Sequence, residues 1–424
     1  MELARDRAEP KHRFWRIATA GVFFQGGAAA VDPSTIVASL VHGLTGSPFA
    51  VGAAAAISRY GWLFPQLFVA HFAQRRRRRL PFYMLGAFGR VACLSAVALL
   101  LLMSGPLPAP LAIAGFFGLW TAYAFVSGIV AVPYNDIVAR IIPSGARSRM
   151  LALRFFGGGL LALVVAAVAN RLLDALAFPL SYAAVLSFGA LLLLVSTLSF
   201  VSAGEPEAPT PPDQPAGFMP FLKVGLDVLR ADRRFRLFVY VRWLAGAIAM
   251  ALPFYVLQAT GAGLGAADVA TLLGAQTAGA LASNPLWGFW GDRRGKRAVL
   301  EAATVLALAP PALTLAWIAF AAGSAPALAW FASVFFLLGA AGNGETIAQL
   351  GYLMEISPDH RRPAYSGYFN ALVAPAALSP VLGATVLEAA GPAVLFATSA
   401  GAALIALAAV RRLRRADVTL EAPA

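Results

Sequence analysis

Residues 288–297 read Gly-Phe-Trp-Gly-Asp-Arg-Arg-Gly-Lys-Arg, and this charged loop lies between two apolar runs, 267–290 and 298–321. Each run has the length of about 20 residues that a helix needs to cross a hydrocarbon core about 30 Å thick. Basic residues clustered between such runs are typical of loops at a membrane surface. The stretch therefore predicts two membrane-spanning helices joined by a short polar loop.

The rest of the chain repeats this pattern of apolar runs and short polar loops. Of its 424 residues, 59% are hydrophobic and 12% are charged, whereas a soluble protein has about 45–50% apolar and about 25% charged residues. A water-soluble fold of one or two domains does not bury that much apolar surface. The composition therefore predicts an all-α polytopic membrane protein.

The distribution of positive charge predicts the topology. The chain has 33 Lys and Arg against 20 Asp and Glu, and these basic residues cluster at both termini and in every second connection. Because positive residues are retained on the cytoplasmic side, the clusters predict cytoplasmic termini and do not indicate a nucleic-acid partner. We predict twelve transmembrane helices, at 14–41, 48–73, 80–103, 110–138, 150–171, 181–203, 236–259, 267–290, 298–321, 327–354, 364–388 and 392–410.

The chain divides into two similar halves around a long polar stretch. Residues 141–147 and 356–362 share the pattern Ile-x-Pro-x-x-x-Arg at matching positions of the two halves. We therefore predict two pseudo-symmetric six-helix bundles, residues 1–203 and residues 236–424 with a short basic tail, joined by a cytoplasmic linker at 204–235. Repeats of this kind place a substrate cavity between the halves, near the middle of the membrane.

The loop at 288–297 resembles the Gly-x-x-x-Asp-Arg-x-Gly-Arg-Arg loop of the major facilitator superfamily. The resemblance implies a membrane transporter in which this loop helps to hold the cytoplasmic side shut. In the corresponding loop of the first half, Gln74 replaces the acid, so the resemblance gives Asp292 the larger part in the gate. The matching residues that it assigns to the gate are Gly288, Asp292, Arg293, Gly295 and Arg297.

A second resemblance involves the fourth and fifth predicted helices. Residues 133–136 (Pro-Tyr-Asn-Asp), with the later Pro143, Arg147 and Arg154, are similar to the sugar–cation symporters of the glycoside–pentoside–hexuronide type. Asp136 and Arg147 lie near the ends predicted to face the cytoplasm. We expect them to act as further gate residues.

Ionisable side chains inside the predicted helices are candidates for function, because each costs about 2.5–3.5 kcal/mol at a helix centre. Asp32 and Arg59 lie at similar predicted depths in neighbouring helices, which permits an ion pair, functional or structural. Arg90 is at mid-depth and has the chemistry to contact a substrate anion or neutralise an acid. Glu345 is the carboxylate deep in the second half, whereas Arg242 is expected to reach the inner surface.

Uncharged polar side chains complete the set of coupling or substrate-binding candidates. Such groups either line a cavity or tie helices together by hydrogen bonds. The residues of this kind are Gln25, Gln276, Asn284, Asn343 and Asn370.

Together these features predict a secondary active transporter of the cytoplasmic (inner) membrane that moves a small organic solute by alternating access. Asp32 or Glu345 would couple transport to protons, and a sodium ion is the alternative coupling ion. We expect a monomer in the lipid bilayer, with no other cofactor, no metal and no obligatory protein partner. The alternatives are a sugar–cation symporter, a drug or metabolite exporter, and a non-transporting sensor or membrane scaffold.

An enzyme is not expected. The single cysteine and four scattered histidines give no metal-ligand spacing. The chain has no phosphate-binding GxxxxGK[ST] loop for an ATP-driven permease, and no nucleophile beside a base.

Overall fold

The computed structural model describes residues 2–73, 78–103, 105, 107–206, 227, 229–321, 326–356 and 362–421. These described residues are almost entirely helical and include no strand. In lipid, backbone N–H and C=O groups have no water partner, so an apolar chain satisfies them within helices. The all-α prediction is confirmed.

The first half of the chain forms seven helices within its described residues. Asp32 and Pro33 interrupt the first predicted span, as expected from a proline, which lacks the N–H that a helix interior requires. The helices are α1 (Glu2–Ala29), α2 (Ile36–Thr45), α3 (Pro48–Ala73), α4 (Leu80–Leu102), α5 (Ala109–Ile141), α6 (Ser144–Ala175) and α7 (Leu180–Ser202).

The second half is more often interrupted. A π-helical turn at Trp317–Ala321 and a 3₁₀ turn at Ala374–Leu378 separate α-helices, and the last helix is kinked at Gly391, just before Pro392. The α-helices are α8 (Arg233–Ala249), α9 (Phe254–Gly261), α10 (Ala266–Arg294), α11 (Lys296–Leu306), α12 (Ala309–Ala316), α13 (Ala327–Ile356), α14 (Arg362–Val373) and α15 (Ser379–Glu421).

Eight helical stretches of the described residues are long and apolar enough to cross a membrane, which supports the polytopic prediction. The count of twelve and the cytoplasmic termini stay predictions, and the predicted linker lies largely outside the described residues. The eight stretches are Leu80–Leu102, Ala109–Ile141, Arg149–Ala175, Leu180–Ser202, Arg233–Gly261, Lys296–Phe320, Ala327–Leu353 and Tyr368–Leu413.

The chain forms two compact units. The first comprises Met1–Gly46, Ile57–Asp213 and Ala266–Gly274, and the second comprises Ser47–Ala56, Gln214–Gly265 and Ala275–Ala424. The first unit includes Ala266–Gly274 and the second includes Ser47–Ala56, and the bounds of the two six-helix bundles stay a prediction. In the first unit, Asn170 Nδ2 donates to the carbonyl of Ala267 (2.8 Å), and in the second, the N–H of Phe49 donates to Glu388 (3.1 Å).

Each unit has a buried apolar core that holds its helices in register. In the first unit, Tyr83 of α4 and Phe200 of α7 have ring centroids 4.2 Å apart and are both buried. In the second, Phe238 of α8 stacks on Phe369 of α14, with centroids 4.9 Å apart. These aromatic contacts fix the backbones from which the polar side chains described below project.

Candidate coupling and substrate-binding sites

Asp32 lies in the break between α1 and α2. Its Oδ1 accepts hydrogen bonds from the N–H of Ser34 (2.9 Å), the hydroxyl of Ser34 (2.6 Å) and the hydroxyl of Thr35 (2.9 Å). This is the local turn that an aspartate forms with the backbone two residues later. The carboxylate is therefore held in place by its own loop.

Arg59 and Gln25, two further candidates of the first half of the chain, have different surroundings. Arg59 of α3 has an exposed side chain, so its pairing with Asp32 stays a prediction. Gln25 of α1 is half-buried, and a Cβ atom added at Gly158 of α6 would lie 2.6 Å from the Gln25 Cβ. Gln25 thus sits where α1 and α6 approach closely.

Arg90 of α4 is buried, with 3% of its surface exposed. Its guanidinium carbon lies 4.9 Å from the ring centroid of Phe24 in α1, and its Nε has no hydrogen-bond partner among the described residues. The guanidinium carbon of Arg154 in α6 lies 5.4 Å from the same ring centroid. Arg154 also donates to the hydroxyl of Tyr134 (2.9 Å). The structure thus brings two cations together within one unit.

The role of Arg154 was not predicted. The sequence singles out Arg154 only through the resemblance to sugar–cation symporters. It lies near the start of a predicted span, so it is not predicted to lie near the middle of the membrane. Its contact with Phe24 depends on the packing of α6 against α1, where a Cβ at Gly21 would overlap the Arg154 side chain at 2.6 Å. A helix–helix contact of this kind has no signature in a single sequence.

Arg242 of α8 and Glu345 of α13 form an ion pair in the second unit. Arg242 is 5% exposed, whereas the Glu345 side chain is 37% exposed. The prediction that Arg242 reaches the inner surface is therefore wrong, because a carboxylate 103 residues later in the chain holds the guanidinium inside the unit. The structure supplies the partner of Glu345 that the sequence analysis did not identify.

Asn343 and Asn284 hydrogen-bond to each other where α10 and α13 pack together. Asn343 Nδ2 donates to Asn284 Oδ1 (2.8 Å) and to the carbonyl of Ala280 (3.0 Å). One turn away, the indole N–H of Trp287 donates to the carbonyl of Ala340 (2.9 Å). These bonds tie two helices together, so a substrate-binding role for either asparagine stays a prediction.

Gln276 and Asn370 are also half-buried. The Oε1 atom of Gln276 is buried without a hydrogen-bond partner among the described residues, and an unsatisfied amide oxygen of this kind is able to accept a bond from a ligand or water. Asn370 lies in α14, and its binding role stays a prediction.

The loop at 288–297 is a tight connection between α10 and α11. Asp292 is 81% exposed, and its Oδ1 lies 3.6 Å from Lys296 Nζ. The guanidinium of Arg293 lies 4.1 Å from the ring centroid of Phe289. Gly295 is the residue just before α11 and has φ 80° and ψ 164°. The gate role of Asp292, Arg293 and Arg297 stays a prediction.

The two glycines of this loop are expected to respond differently to substitution. Gly295→Ala places a Cβ in a region of φ and ψ that only glycine adopts readily, so it is expected to destabilise the protein by about 1–3 kcal/mol. Gly288→Ala meets no described atom within 4 Å and is expected to have little effect. Apparent melting temperatures in detergent test this, and equal values for both variants would contradict it.

Asp136 is the centre of a charged cluster in the first unit. It forms ion pairs with Arg79 and with Arg140, and Arg140 also lies 3.4 Å from Glu205. Glu205 accepts hydrogen bonds from the N–H groups of Arg79 (2.8 Å) and Leu80 (2.9 Å). Negative charge at the start of α4 is favourable because the helix dipole is positive there.

The guanidinium of Arg79 is a half-buried cation of this cluster whose pKa is shifted. Burial and the charge of Arg140 lower the pKa of the Arg79 guanidinium, whereas Glu205 raises it; a guanidinium stays charged in either case. Asp136 is thus held by two arginines, and its role in a gate stays a prediction. The side chain of Arg147 lies outside the described part of the chain.

The described residues have the helical architecture of a polytopic membrane protein. A family model described as Major Facilitator Superfamily matches residues 246–423. The resemblance drawn from the loop at 288–297 is therefore confirmed, and it indicates a transporter rather than an enzyme. A comparison with curated proteins gives no match.

Solved structures of transporters share the fold over nearly the whole chain. The crystal structure of the nucleoside transporter NupG has a TM-score of 0.67 and 15% identity, covering 95% of this chain and 98% of that one. The POT family transporter PepTSo has a TM-score of 0.74 and 11% identity, with coverage of 95% and 98%. The outward-facing crystal structure of a bacterial homologue of the iron transporter ferroportin has a TM-score of 0.63 and 14% identity, covering 95% of this chain and 99% of that one.

Proposed function

We propose that this protein is a secondary transporter that moves a small organic solute across the cytoplasmic membrane by alternating access, coupled to protons. The similar folds belong to transporters of nucleosides, of peptides and, by homology, of iron, which supports transport without choosing a substrate. The proton is the proposed coupling ion because the polar groups inside the units include a carboxylate paired with a buried arginine.

The ion pair between Arg242 and Glu345 carries the proposal of coupling. A carboxylate that is 37% exposed has access to protons, whereas its partner is 5% exposed and loses its counter-charge when the carboxylate is protonated. A buried cation left without a counter-ion is costly. Proton binding at Glu345 would therefore alter the contact between α8 and α13, which is the kind of two-state change that coupling requires.

Transport is tested with the purified protein in liposomes that enclose a pH-sensitive dye. Sugars, nucleosides, amino acids, dipeptides and organic acids are added outside one at a time, without a membrane potential. A solute that changes the internal pH only in protein-containing liposomes supports proton-coupled transport. Radiolabelled counterflow without any pH change would support a uniporter, and neither signal for any solute would contradict the proposal.

Asp32 is the second candidate proton carrier, and its hydrogen bonds allow its roles to be separated. Asp32→Asn keeps an oxygen that accepts the bonds from Ser34 and Thr35, so it is expected to leave stability unchanged while impairing proton-coupled flux. Asp32→Ala removes the acceptor of these hydrogen bonds and is expected to cost about 1 kcal/mol. Melting temperature and flux are measured on both variants. Full flux with unchanged pH dependence in Asp32→Asn would remove Asp32 as a carrier.

A further inference from the structure

Arg90 and Arg154 are charged groups for which the transport proposal above gives no use. Among the described residues, the Nε atoms of both are buried without a hydrogen-bond partner. Within that part of the chain, neither guanidinium forms an ion pair with a carboxylate, whereas Arg79 and Arg140 of the same unit do. A buried cation is costly unless it is paired, so this arrangement favours an external anion.

The two arginines converge from different helices. Arg90 comes from α4 and Arg154 from α6, yet both guanidinium carbons lie within 5.4 Å of the ring centroid of Phe24 in α1. Tyr134 of α5 accepts from Arg154 and lies under it, with the guanidinium carbon 5.0 Å from the ring centroid. Four helices of one unit thus hold the two cations in one place.

The hydrogen-bonding groups around Arg90 and Arg154 determine which class of ligand fits there. Guanidinium groups are donors only, and the phenol of Tyr134 has its own proton to donate when it accepts from Arg154. Tyr83 and Tyr123 are further electrostatic neighbours of Arg90. A neutral sugar needs acceptors as well as donors, whereas a carboxylate or phosphate is recognised by donors alone. Contacts with aromatic rings offset only part of the lost hydration of a cation.

We propose that Arg90 and Arg154 form an anion-binding subsite that holds the carboxylate or phosphate group of the transported solute. That this solute is transported rests on the proposed function, whereas the anion-binding subsite itself requires only residues of the first unit. The aromatic rings of Phe24 and Tyr134 would contact the part of the solute next to the charged group. The solute is thus a small organic anion rather than a neutral sugar or an organic cation.

The subsite is tested by ligand-dependent melting of the purified protein in detergent, at constant ionic strength. The probes are benzoate, lactate, succinate, glycerol 3-phosphate and inorganic phosphate, each against a neutral control such as benzamide or lactamide. We expect a saturable rise in melting temperature with at least one anion and none with its neutral control. A response to the organic acids alone assigns a carboxylate, and a response to the two phosphates alone assigns a phosphate.

Variants separate a binding role from a structural one. Arg90→Gln and Arg154→Gln are each expected to weaken the apparent Kd by about tenfold or more, the loss of a charged hydrogen bond, and Arg90→Lys less. Arg149→Gln is the control, because Arg149 is an exposed arginine with a similar contact to Phe14. An unchanged Kd in both glutamine variants, or no anion response in the native protein, overturns the subsite. If Arg90→Gln does not fold, Arg154→Gln and Arg90→Lys decide.

The outcome also distinguishes the subsite from the proposed function. Anion-dependent melting without flux of that anion in liposomes would keep the subsite and count against transport. Proton-coupled flux of a neutral solute, unaffected by Arg154→Gln and without an anion response, would keep transport and overturn the subsite.

Discussion

Replacing Glu345 by Gln is expected to abolish proton-driven accumulation of the solute while the protein still folds. The amide keeps the shape of the side chain and a hydrogen-bond acceptor for Arg242, but it neither carries a negative charge nor takes up a proton. Exchange of solute at equal pH on both sides is expected to continue, because it needs no net proton movement. Accumulation under a pH gradient and equilibrium exchange are measured in the same liposomes.

The energy of the pair is measured by a double-mutant cycle with Arg242→Gln and Glu345→Gln. We expect a coupling of about 1–3 kcal/mol, below the roughly 3–5 kcal/mol for breaking a fully buried pair, because the Glu345 side chain is 37% exposed. Glu301 and Arg411 are the control pair, since Arg411 is 62% exposed and their cycle should give about 0.2–1 kcal/mol. Accumulation that survives Glu345→Gln would exclude this carboxylate as the carrier.

Gly339→Ala is expected to destabilise the second unit strongly. A Cβ at Gly339 of α13 would overlap the backbone carbonyl oxygen of Gln276 in α10, and a Cβ at Gly279 would overlap that of Phe336. Backbone atoms cannot move aside by changing rotamer, so the helices must separate. Overpacking costs about 1–3 kcal/mol, and a clash with backbone is expected to lie at the upper end of that range; it also strains the bond between Asn343 and Asn284.

Gly342 gives the matched control for this substitution. It lies in the same helix, but a Cβ there meets no described atom within 4 Å. Gly342→Ala is therefore expected to leave stability unchanged or to raise it slightly, since alanine favours a helix by about 1 kcal/mol over glycine. Apparent melting temperature and the yield of monodisperse protein are compared. Similar values for Gly339→Ala and Gly342→Ala would contradict the close approach of α10 and α13.

The secondary structure was predictable because it depends on local patterns. Apolar runs bounded by Gly, Pro and Arg place α4 and α7 within a residue or two, and Pro33 explains the break inside the span predicted at 14–41. The loop at 288–297 indicates the superfamily because its residues are contiguous in the chain. Each of these signals is contained within about 25 residues.

The pairing of distant charges was not predictable in the same way. Arg242 was assigned by its depth in the helix, which describes its distance from the surface but not its neighbours. Its partner Glu345 and the pair Arg90 and Arg154 depend on which helices touch. For Asp32, the predicted depth permits a pair with Arg59, which stays a prediction. The hydrogen bonds from Ser34 and Thr35, two and three residues away, are local contacts of the same turn.

Glu205 has a consequence for handling the protein in the laboratory. It is bonded to the first backbone N–H groups of α4 and lies beside Arg140, so the chain is anchored to the first unit up to that residue. Tags, protease sites or a split between separately expressed halves are best placed after residue 206. A cut before Glu205 would remove the carboxylate that accepts from the first N–H groups of α4. The first half would then be destabilised by the lost contact, and this loss would be mistaken for a failure of the two halves to associate.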